Sequence, residues 1–405
     1  MSEPVVVVGA GLSAGKAVES LRECGYDGAV VVLGEEPHRP YERPPLSKDY
    51  LMGRADLGSA FVHEAGWYDR HDVDLRLGRR VTGLDLAGHR VLVGDEAMAY
   101  SRLLLATGAS PRRLPVAEDG AAPVTYLRTI EDSDRIRAVL RPGASVVVVG
   151  GGWIGLEVAS AARAAEVRVT VVEALALPLL PVLGAEVAGV FAELHRAHDV
   201  DLRLGAEVVA LDHAGGGAAV RLGDGAVIEA DLVVVGIGAR PNTRLAEAAG
   251  LEVANGVVVD EHLTTGAPDV LAAGDVAAAY HPRLGRRIRV EHWDNAIGQG
   301  TLAGHNLAGL RESYERIPYF YTDQYDVGME YVGHVGPEGY DDVVVCGDTA
   351  PGQAFTAFWL RDGVVLAGMH VNDWDVADAL RRVVGRRTDR AALCDRARLL
   401  DVDQP

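Results

Sequence analysis

The chain has 405 residues, of which 48% are hydrophobic and 24% charged. This composition is typical of a globular protein with a sizeable core, and the length suggests about two to three domains. The formal net charge of −19 disfavours general binding to DNA or to an anionic membrane. Cys24, Cys346 and Cys394 are far apart and form no CxxC, which disfavours a redox-active dithiol of closely spaced cysteines and a cysteine-rich zinc or iron–sulfur site.

Targeting signals are not expected. The chain opens with MSEPVVVVGAG, which lacks a basic segment and a signal cleavage site. The longest apolar run, residues 174–185, is short and contains two prolines, so it does not predict a membrane span. We therefore expect the protein in the cytoplasm.

The first predicted elements form a nucleotide-binding pattern. A buried strand, Val5–Val8, leads into a glycine-rich turn of sequence GAGLSA and a helix that extends to Glu23. A second strand, Ala29–Leu33, is followed by Glu35, which lies 21 residues after Ala14. This spacing is typical of a carboxylate that binds ribose hydroxyls. The turn residues predicted to bind a cofactor are Gly9, Gly11, Leu12, Ser13 and Ala14.

The same pattern occurs a second time. Strand Ser145–Val149 leads into the turn GGGWIG and a predicted helix, Leu156–Ala165. Strand Val167–Val172 then ends at Glu173, 18 residues after Gly155. The turn residues predicted to bind a second nucleotide are Gly150, Gly152, Ile154 and Gly155.

Both turns have the features that a dinucleotide requires. The first glycine makes the tight turn, the second admits the pyrophosphate, and the third small residue lets helix and strand pack. The helix N-terminus then receives the negative charge. Two glycine-rich packing turns followed by solvent-facing acids are the alternative. Glu173 would repel a 2′-phosphate and the following ALAL segment offers no Arg or Lys, so NADH is favoured over NADPH.

With both turns placed, the chain resembles the FAD- and NADH-dependent ferredoxin reductase family, which has the glutathione reductase fold. The resemblance runs from about Val5 to Val371, and its landmarks are GAGLSA, RPYERPPLSK, LLLATGASPR, GGGWIGLEVA, VVVGIGARPN, LAAGDVA, EHWDNA and YFYTDQYD. It implies an α/β fold with two Rossmann-like dinucleotide-binding domains and an α+β C-terminal interface domain. The implied divisions are residues 1–110 and 241–322 for FAD, 111–240 for NAD and 323–405 for the interface domain.

The resemblance also assigns the lysine of RPPLSK. The chain contains only two lysines, and Lys48 follows the rigid Pro44-Pro45 pair. In similar enzymes this lysine lies beside the flavin N5 and pairs with the acid that matches Glu157, which helps to orient the nicotinamide. The alternative is a solvent-exposed lysine and an ordinary helical glutamate.

Other cofactor contacts implied by the resemblance are less specific. Arg43 is expected near the FAD pyrophosphate or adenine, although an exposed arginine is an open alternative. Asp275 is expected to bind the ribityl chain or to cap a helix. Arg128 and Asp132 match a segment that touches the flavin, although Asp132 also suits an N-cap. The remaining predicted contacts are Ala106, Thr107, Gly108, Gly238, Glu291, Trp293 and Tyr321.

The last eighty or so residues show a different pattern. Predicted strands are Tyr325–Val335, Asp342–Cys346, Gln353–Leu360 and Val364–Val371, followed by a helix from Asp375 to about Val384. Two departures from the family pattern occur. Tyr321-Thr322 stands where many relatives have Trp-Ser, and ALALPLLPVLG stands where arginines are common.

The implied activity is that of an enzyme that takes a two-electron hydride from NADH and passes single electrons to an iron–sulfur ferredoxin of the 2Fe-2S type. That ferredoxin would serve a haem-thiolate monooxygenase or a ring-hydroxylating dioxygenase. No metal ligand set or catalytic cysteine is expected. Rubredoxin reductase, NADH oxidase, a disulfide reductase or NADH peroxidase, and a non-enzymatic flavin-bearing NADH sensor are the alternatives. Arginine clusters at 286–289 and 381–390 are candidate ferredoxin contacts or merely solvated faces.

Overall fold

A computed structural model describes residues 3–118 and 122–401. The chain divides into two compact units. The first unit comprises Met1–Arg43, Leu57–Ser110 and Ala239–Arg316, and the second comprises Pro44–Asp56, Pro111–Gly238 and Ile317–Pro405. The predicted four-part domain division stays a prediction.

The described residues form strands and α-helices in the following order. The strands are β1 (Val5–Val8), β2 (Val30–Leu33), β3 (Val73–Arg76), β4 (Gly83–Asp85), β5 (Arg90–Val93), β6 (Glu96–Ala99), β7 (Arg102–Leu105), β8 (Ala109–Pro111), β9 (Val124–Thr125), β10 (Ser145–Val149), β11 (Arg168–Glu173), β12 (Asp201–Leu204), β13 (Val208–Ala214), β14 (Gly217–Leu222), β15 (Val227–Ala230), β16 (Leu232–Val235), β17 (Ala239–Pro241), β18 (Val257–Val259), β19 (Val270–Ala272), β20 (Ala277–His281), β21 (Arg286–Ile288), β22 (Tyr319–Gln324), β23 (Val327–Gly333), β24 (Asp342–Gly347), β25 (Phe355–Arg361) and β26 (Val364–Val371). The helices are α1 (Leu12–Glu23), α2 (Trp67–Arg70), α3 (Ile130–Arg137), α4 (Trp153–Ala164), α5 (Leu180–Ala197), α6 (Arg244–Ala248), α7 (Trp293–Ala308), α8 (Ala377–Val383), α9 (Arg390–Cys394) and α10 (Arg396–Leu400).

The first unit is built on a parallel five-stranded sheet of order β19-β7-β1-β2-β3. Its central strands are continuous apolar runs, which suits a parallel sheet covered on both faces. Helices α1 and α7 pack closely because Gly300 and Gly304 of α7 face the backbone of α1, where an added Cβ would clash with Ser13 O and Ala17 O. These small residues therefore set the position of the helix that follows the first glycine turn.

The second unit repeats this plan. Its parallel sheet has the order β12-β11-β10-β16-β9, and an antiparallel sheet β13-β14-β15 accompanies it. Strand β10 consists of Ser145 followed by four buried valines, and α4 follows it directly. The second glycine turn therefore stands between a central strand and a helix, as the sequence predicts.

The C-terminal part of the second unit is an antiparallel sheet of order β22-β23-β26-β25-β24. Trp359 and Phe358 are fully buried in it, and α8 packs on one face. Cys346 at the end of β24 and Cys394 at the end of α9 form a disulfide, with their Cα atoms 5.2 Å apart. Sequence separation gives no information on spatial distance, so the sequence did not predict this bond.

The start of the C-terminal sheet corrects one prediction. The strand predicted as Tyr325–Val335 is β23, Val327–Gly333, and a strand that the sequence analysis did not identify, β22, precedes it. Tyr325 lies in the tight turn between them with φ of 57°. A non-glycine residue rarely adopts this conformation, and the turn contains no glycine that would have indicated it. The predicted helix at Asp375 begins as a short 3₁₀ turn and continues as α8.

Two parallel nucleotide-type sheets and an antiparallel C-terminal sheet confirm the predicted fold class. None of the helices in the described part of the chain is both long and apolar enough to cross a membrane.

Candidate active site

The first glycine turn forms a cradle at the N-terminus of α1. Gly9 has φ of 112°, and a Cβ there would clash with Ala106 O, so this glycine is required by the backbone. A Cβ at Gly11 would meet nothing within 4 Å. No side chain caps α1, and the buried Ser13 Oγ has no hydrogen-bond partner among the described residues. The open space, the free helix N–H groups and the hydroxyl together suit a phosphate.

The second glycine turn has the same construction. Gly150 has φ of 105° and faces Gly236 O, while the nearest atom to a Cβ at Gly152 would be 3.8 Å away. Gly155 packs directly on the carbonyl of Gly150, which leaves no space for a side chain. No side chain in the described part of the protein caps helix α4 either. Its N-terminus is therefore available to a second phosphate group.

Helix α3, in contrast to α1 and α4, has a capping box at its N-terminus. Thr129 accepts a hydrogen bond from the Asp132 backbone N–H, and the Asp132 carboxylate accepts one from the Thr129 N–H. This capping box satisfies donors that α1 and α4 leave open. The N-cap of this helix is Thr129, and Asp132 occupies the third helical position, so the alternative of Asp132 as the N-cap itself is wrong, while its carboxylate does take part in the cap.

The two acids predicted to bind ribose have different surroundings. The Glu35 side chain is exposed and pairs with Arg80 at 3.2 Å. Glu173 instead accepts hydrogen bonds from the backbone N–H groups of Gly151 at 2.6 Å and Leu175 at 2.8 Å. Glu173 therefore organises the second glycine turn itself, a role that spacing alone did not indicate.

Arg43 and Asp275 lie near each other in the first unit. The Arg43 guanidinium donates to the Tyr41 hydroxyl at 3.0 Å and pairs with Glu36 at 2.9 Å. Asp275 lies within electrostatic range of this guanidinium. The Gly274 N–H before it donates to the buried Gln299 Oε1 at 2.9 Å, so α7 fixes this turn. Gln299 belongs to no pattern that we used, and the sequence analysis missed it.

The segment 106–108 is held by a residue that sequence reasoning also missed. Asn242 donates to Thr107 O at 2.8 Å, and the Thr107 hydroxyl donates to Asn242 O at 2.9 Å. The Asn242 N–H donates to Gly108 O at 2.9 Å. Gly238, in the second unit, has φ of 98° and accepts from the Arg112 N–H.

Lys48 and Glu157 meet in the second unit. The Lys48 Nζ lies 2.7 Å from Glu157 Oε1, and the two side chains are only 13% and 4% exposed. Glu157 lies in the second turn of α4, directly after the uncapped N-terminus. The alternative of a solvent-exposed Lys48 is therefore wrong. The Lys48 ammonium also lies over the Tyr321 ring, 5.3 Å from its centroid, within cation–π range.

Two hydroxyl groups complete the surroundings of Glu157. Ser47 Oγ donates to Oε2 at 2.5 Å, and Thr322 Oγ1 donates to Oε1 at 2.6 Å. Thr322 is one of the two departures noted in the sequence, but its partner was not predicted. A carboxylate with three donors in a nearly water-free position is strongly held in one orientation.

The remaining predicted contacts lie at the starts of two helices and in one loop. Trp293 begins α7, and Glu291, two residues before it, pairs with Arg289. Ile154 lies in the first turn of α4 and is 44% exposed. The Arg128 N–H donates to Asp132 at 3.1 Å. No group of acids, histidines and cysteines among the described residues is arranged to hold a metal ion.

Fold and site define a class of protein: a dinucleotide-dependent oxidoreductase with two nucleotide cradles and a buried ammonium–carboxylate pair. The family model for the pyridine nucleotide-disulphide oxidoreductases matches residues 3–300, and a reductase C-terminal model matches residues 319–402. The chain therefore belongs to the pyridine nucleotide-disulphide oxidoreductase family, in its ferredoxin–NAD(+) reductase group.

Individual relatives agree with this assignment. The chain is 40% identical over 401 residues to the ferredoxin–NAD(+) reductase component of the anthranilate 1,2-dioxygenase system of Burkholderia cepacia, covering 97% of each chain. It is 38% identical to putidaredoxin reductase of Pseudomonas putida, covering 92% of this chain and 89% of the relative. The crystal structure of a covalent putidaredoxin reductase–putidaredoxin complex matches with a TM-score of 0.94 at 36% identity, covering 99% of this chain and 98% of the other.

Members of this family use FAD and NAD(H), as the sequence analysis predicts. The residues present fit both groups, because each cradle leaves space beside the second glycine and free N–H groups at a helix start. In the first cradle, the Ser13 hydroxyl, which has no partner within the described residues, adds a donor.

Proposed function

We propose that this protein is an NADH-dependent, FAD-containing reductase whose acceptor is an iron–sulfur ferredoxin, most suitably of the 2Fe-2S type. The observation that supports this most directly is the buried Lys48–Glu157 pair behind the second glycine turn. FAD bound in the first cradle would supply the redox chemistry, a two-electron hydride uptake from NADH followed by one-electron release. The chain binds both nucleotides, orients them and excludes water.

The first glycine turn is proposed to hold FAD. Gly9 shapes the turn, Gly11 leaves space for the pyrophosphate, and the N-terminus of α1 faces the negative charge. Glu35, Arg43 and Asp275 are proposed to contact the adenosine, pyrophosphate and ribityl parts. The other proposed FAD contacts are Leu12, Ser13, Ala14, Ala106, Thr107, Gly108, Arg128, Glu291, Trp293 and Tyr321.

The second glycine turn is proposed to hold NADH. Gly150, Gly152 and Gly155 supply the turn, and Glu173 keeps it in shape through the Gly151 N–H. A carboxylate at this place disfavours a 2′-phosphate, which supports NADH over NADPH. Ile154 and Gly238 are proposed further contacts.

Lys48 and Glu157 are the proposed catalytic residues. A fixed ammonium in a poorly hydrated position stabilises negative charge that develops on the flavin ring. Glu157 keeps that ammonium in place and offers a carboxylate oxygen to the nicotinamide carboxamide. Neither residue forms a covalent bond or needs a metal.

The acceptor is proposed from chemistry and from the named relatives, which are reductases of dioxygenase and putidaredoxin systems. Ferredoxins are usually acidic, so a basic contact surface is needed. Several candidate arginines are already used within the fold. Arg287 donates to Ala278 O at 2.8 Å, Arg289 pairs with Glu291, and Arg390 pairs with Asp342. These contacts make both arginine clusters less suitable as a contact surface for a ferredoxin.

Turnover with different acceptors tests the proposal. We expect the FAD-loaded protein to reduce a 2Fe-2S ferredoxin with NADH much faster than it reduces oxygen, and to use NADPH poorly. The readout is the ferredoxin absorbance change under anaerobic conditions. A protein that binds no flavin, or that reduces oxygen as fast as every ferredoxin tested, would overturn it. The proposed location is the cytoplasm, where NADH is available.

A further inference from the structure

Glu157 is the end of a chain of hydrogen bonds that extends away from the proposed redox site. Thr322 Oγ1 also accepts from Gln324 Nε2 at 3.2 Å. Gln324 Oε1 lies 2.9 Å from His195 Nε2, and His195 Nδ1 lies 2.9 Å from the Tyr325 hydroxyl. All members belong to the second unit.

The chemistry of the chain fixes its direction. A carboxylate paired with an ammonium only accepts hydrogen bonds, so the Thr322 hydroxyl donates to Glu157 and has lone pairs left for an amide N–H. The Gln324 amide nitrogen must therefore face Thr322, and its oxygen must face His195. Since an amide oxygen only accepts, His195 carries its proton on Nε2 and accepts from Tyr325 through Nδ1.

The surroundings of the chain are consistent with this polarity. Thr322, Gln324 and His195 are buried almost completely. Burial lowers the pKa of His195 to about 4, so the ring is neutral and can donate at one nitrogen and accept at the other. Burial likewise raises the pKa of the Tyr325 hydroxyl, which keeps its proton.

Tyr325 is held in an unusual conformation at the far end of the chain. Its φ of 57° is uncommon for a bulky residue, which indicates that contacts with the rest of the unit determine it. Its ring stacks on His198 with centroids 3.7 Å apart, and its N–H donates to Ser160 Oγ at 2.8 Å. The turn is therefore anchored to α4 and α5.

We propose that Thr322, Gln324 and His195 are positioning residues that hold the Glu157 carboxylate in the orientation needed for hydride transfer from NADH. The amide of Gln324 neither accepts nor releases protons readily, so the chain is a directional support and no proton moves along it. This inference rests on the role proposed above for Glu157. It assigns a function to the hydroxyl at position 322, which a serine would also supply.

The test is the rate of flavin reduction by NADH in anaerobic stopped-flow experiments on the FAD-loaded protein. Thr322→Val removes the hydroxyl at nearly constant volume, and we expect a rate at least about ten-fold lower, since a hydrogen bond to a charged acceptor is lost. Thr322→Ser restores the hydroxyl and should recover most of the rate. For His195 we expect smaller effects. H195F, which removes both ring nitrogens, should reduce the flavin more slowly than H195Q, which keeps one donor and one acceptor.

Controls separate positioning from general destabilisation. Thr356→Val removes a buried hydroxyl from β25 in the same sheet and should leave the rate unchanged. Thermal unfolding is measured for each variant. Combining T322V with E157Q should add little to the loss caused by E157Q alone, because the hydroxyl acts through the carboxylate.

The outcomes distinguish this inference from the proposed function. If E157Q is slow and T322V has the wild-type rate, or if the two losses are additive, the positioning role is wrong while the proposed function stands. If E157Q itself reduces at the wild-type rate, the catalytic role of Glu157 is wrong, and the positioning role with it. If the purified protein binds no flavin, the proposed function is wrong as a whole.

Discussion

The same position after each glycine turn carries a partly exposed residue in the first unit and a buried residue in the second. Counting from the first glycine of each turn, Lys16 follows Gly9 by the same seven residues by which Glu157 follows Gly150. Lys16 forms a partly exposed pair with Glu19, one helical turn further along α1. Glu157 is buried and pairs with Lys48, which is more than one hundred residues away in sequence.

This difference shows what a repeated motif does and does not specify. The strand, turn and helix recur because the phosphate cradle requires the same backbone twice. The side chain one turn beyond the cradle is free to differ, since it is determined by what packs on that face of the helix. In the second unit the segment that carries Ser47 and Lys48 packs there.

The largest expected effect compares the two lysines. Lys48→Met keeps the unbranched shape of the side chain but removes the ammonium, which leaves Glu157 buried without its cation. We expect the rate of flavin reduction by NADH to fall about 100-fold and the free energy of unfolding to fall by about 3 kcal/mol. Lys16→Met removes a surface pair and should cost less than about 1 kcal/mol. Stopped-flow rates and urea denaturation measure both, and equal losses in the two variants would contradict the contrast.

A second expectation concerns acid sensitivity of the second unit. Burial lowers the pKa of His195 to about 4 in the folded protein, compared with about 6.5 in the unfolded chain, so the proton binds preferentially to the unfolded chain. Its stabilising contribution is complete above about pH 6.5 and is lost as the pH falls toward 4. Between pH 7 and pH 5 we expect a loss of about 2 kcal/mol.

The matched variant for this measurement is His195→Gln, which cannot take up the proton. Urea denaturation of wild type and H195Q at both pH values gives the difference. Burial also lowers the pKa values of His63 and His281, but these contributions cancel in the comparison. Parallel pH dependences for the two proteins would show that His195 is not the responsible group.

Substitution of the second glycine of each turn, Gly11 or Gly152, distinguishes the ligands of the two cradles. Since no side chain of residues 3–118 or 122–401 fills the space beside Gly11 or Gly152, an alanine at either place should leave the fold stable. It should interfere with one phosphate contact, worth about 1.5 kcal/mol, or about ten-fold in affinity. G11A is expected to bind FAD about ten-fold more weakly, and G152A to raise KM for NADH about ten-fold with FAD affinity unchanged. Flavin content and steady-state kinetics report the two effects, and the opposite pattern would reverse our assignment of the cradles.

The smallest expected effects concern the two acids. Glu173→Gln weakens the hydrogen bonds that shape the second turn and should raise KM for NADH about five-fold. Glu35→Gln removes an exposed pair with Arg80 and should change FAD affinity about two-fold. Titration with NADH and with FAD compares them. If the KM values of E173Q for NADH and for NADPH were both those of the wild type, Glu173 would not control the choice of nucleotide.

Local patterns determined much of the fold in advance. The strands β1, β10 and β26 lie where their apolar runs predict them, and both glycine turns have the expected backbone. The physical reason is that a buried parallel strand requires a continuous apolar run, and a tight turn against a neighbouring carbonyl requires glycine. The family landmarks additionally pointed to the pairing of Lys48 with Glu157. The spacing of these two residues in the sequence does not by itself indicate that they pair.

Other features had no local signal. The turn at Tyr325 contains no glycine, and the Cys346–Cys394 bond joins residues 48 positions apart. Gln299 and Asn242 are unremarkable polar residues in sequence, yet each holds a turn of the first unit through backbone hydrogen bonds. These features depend on contacts between distant segments.

The sequence by itself determined two nucleotide cradles, because their requirements are satisfied within about thirty consecutive residues. Only the tertiary structure decided that Ser47 and Thr322 donate hydrogen bonds to Glu157, and that Thr322 leads on to Gln324 and His195. Hydrogen bonds between side chains from different segments require distances that no sequence pattern encodes. Burial then makes those bonds directional, because each donor must find an acceptor away from water.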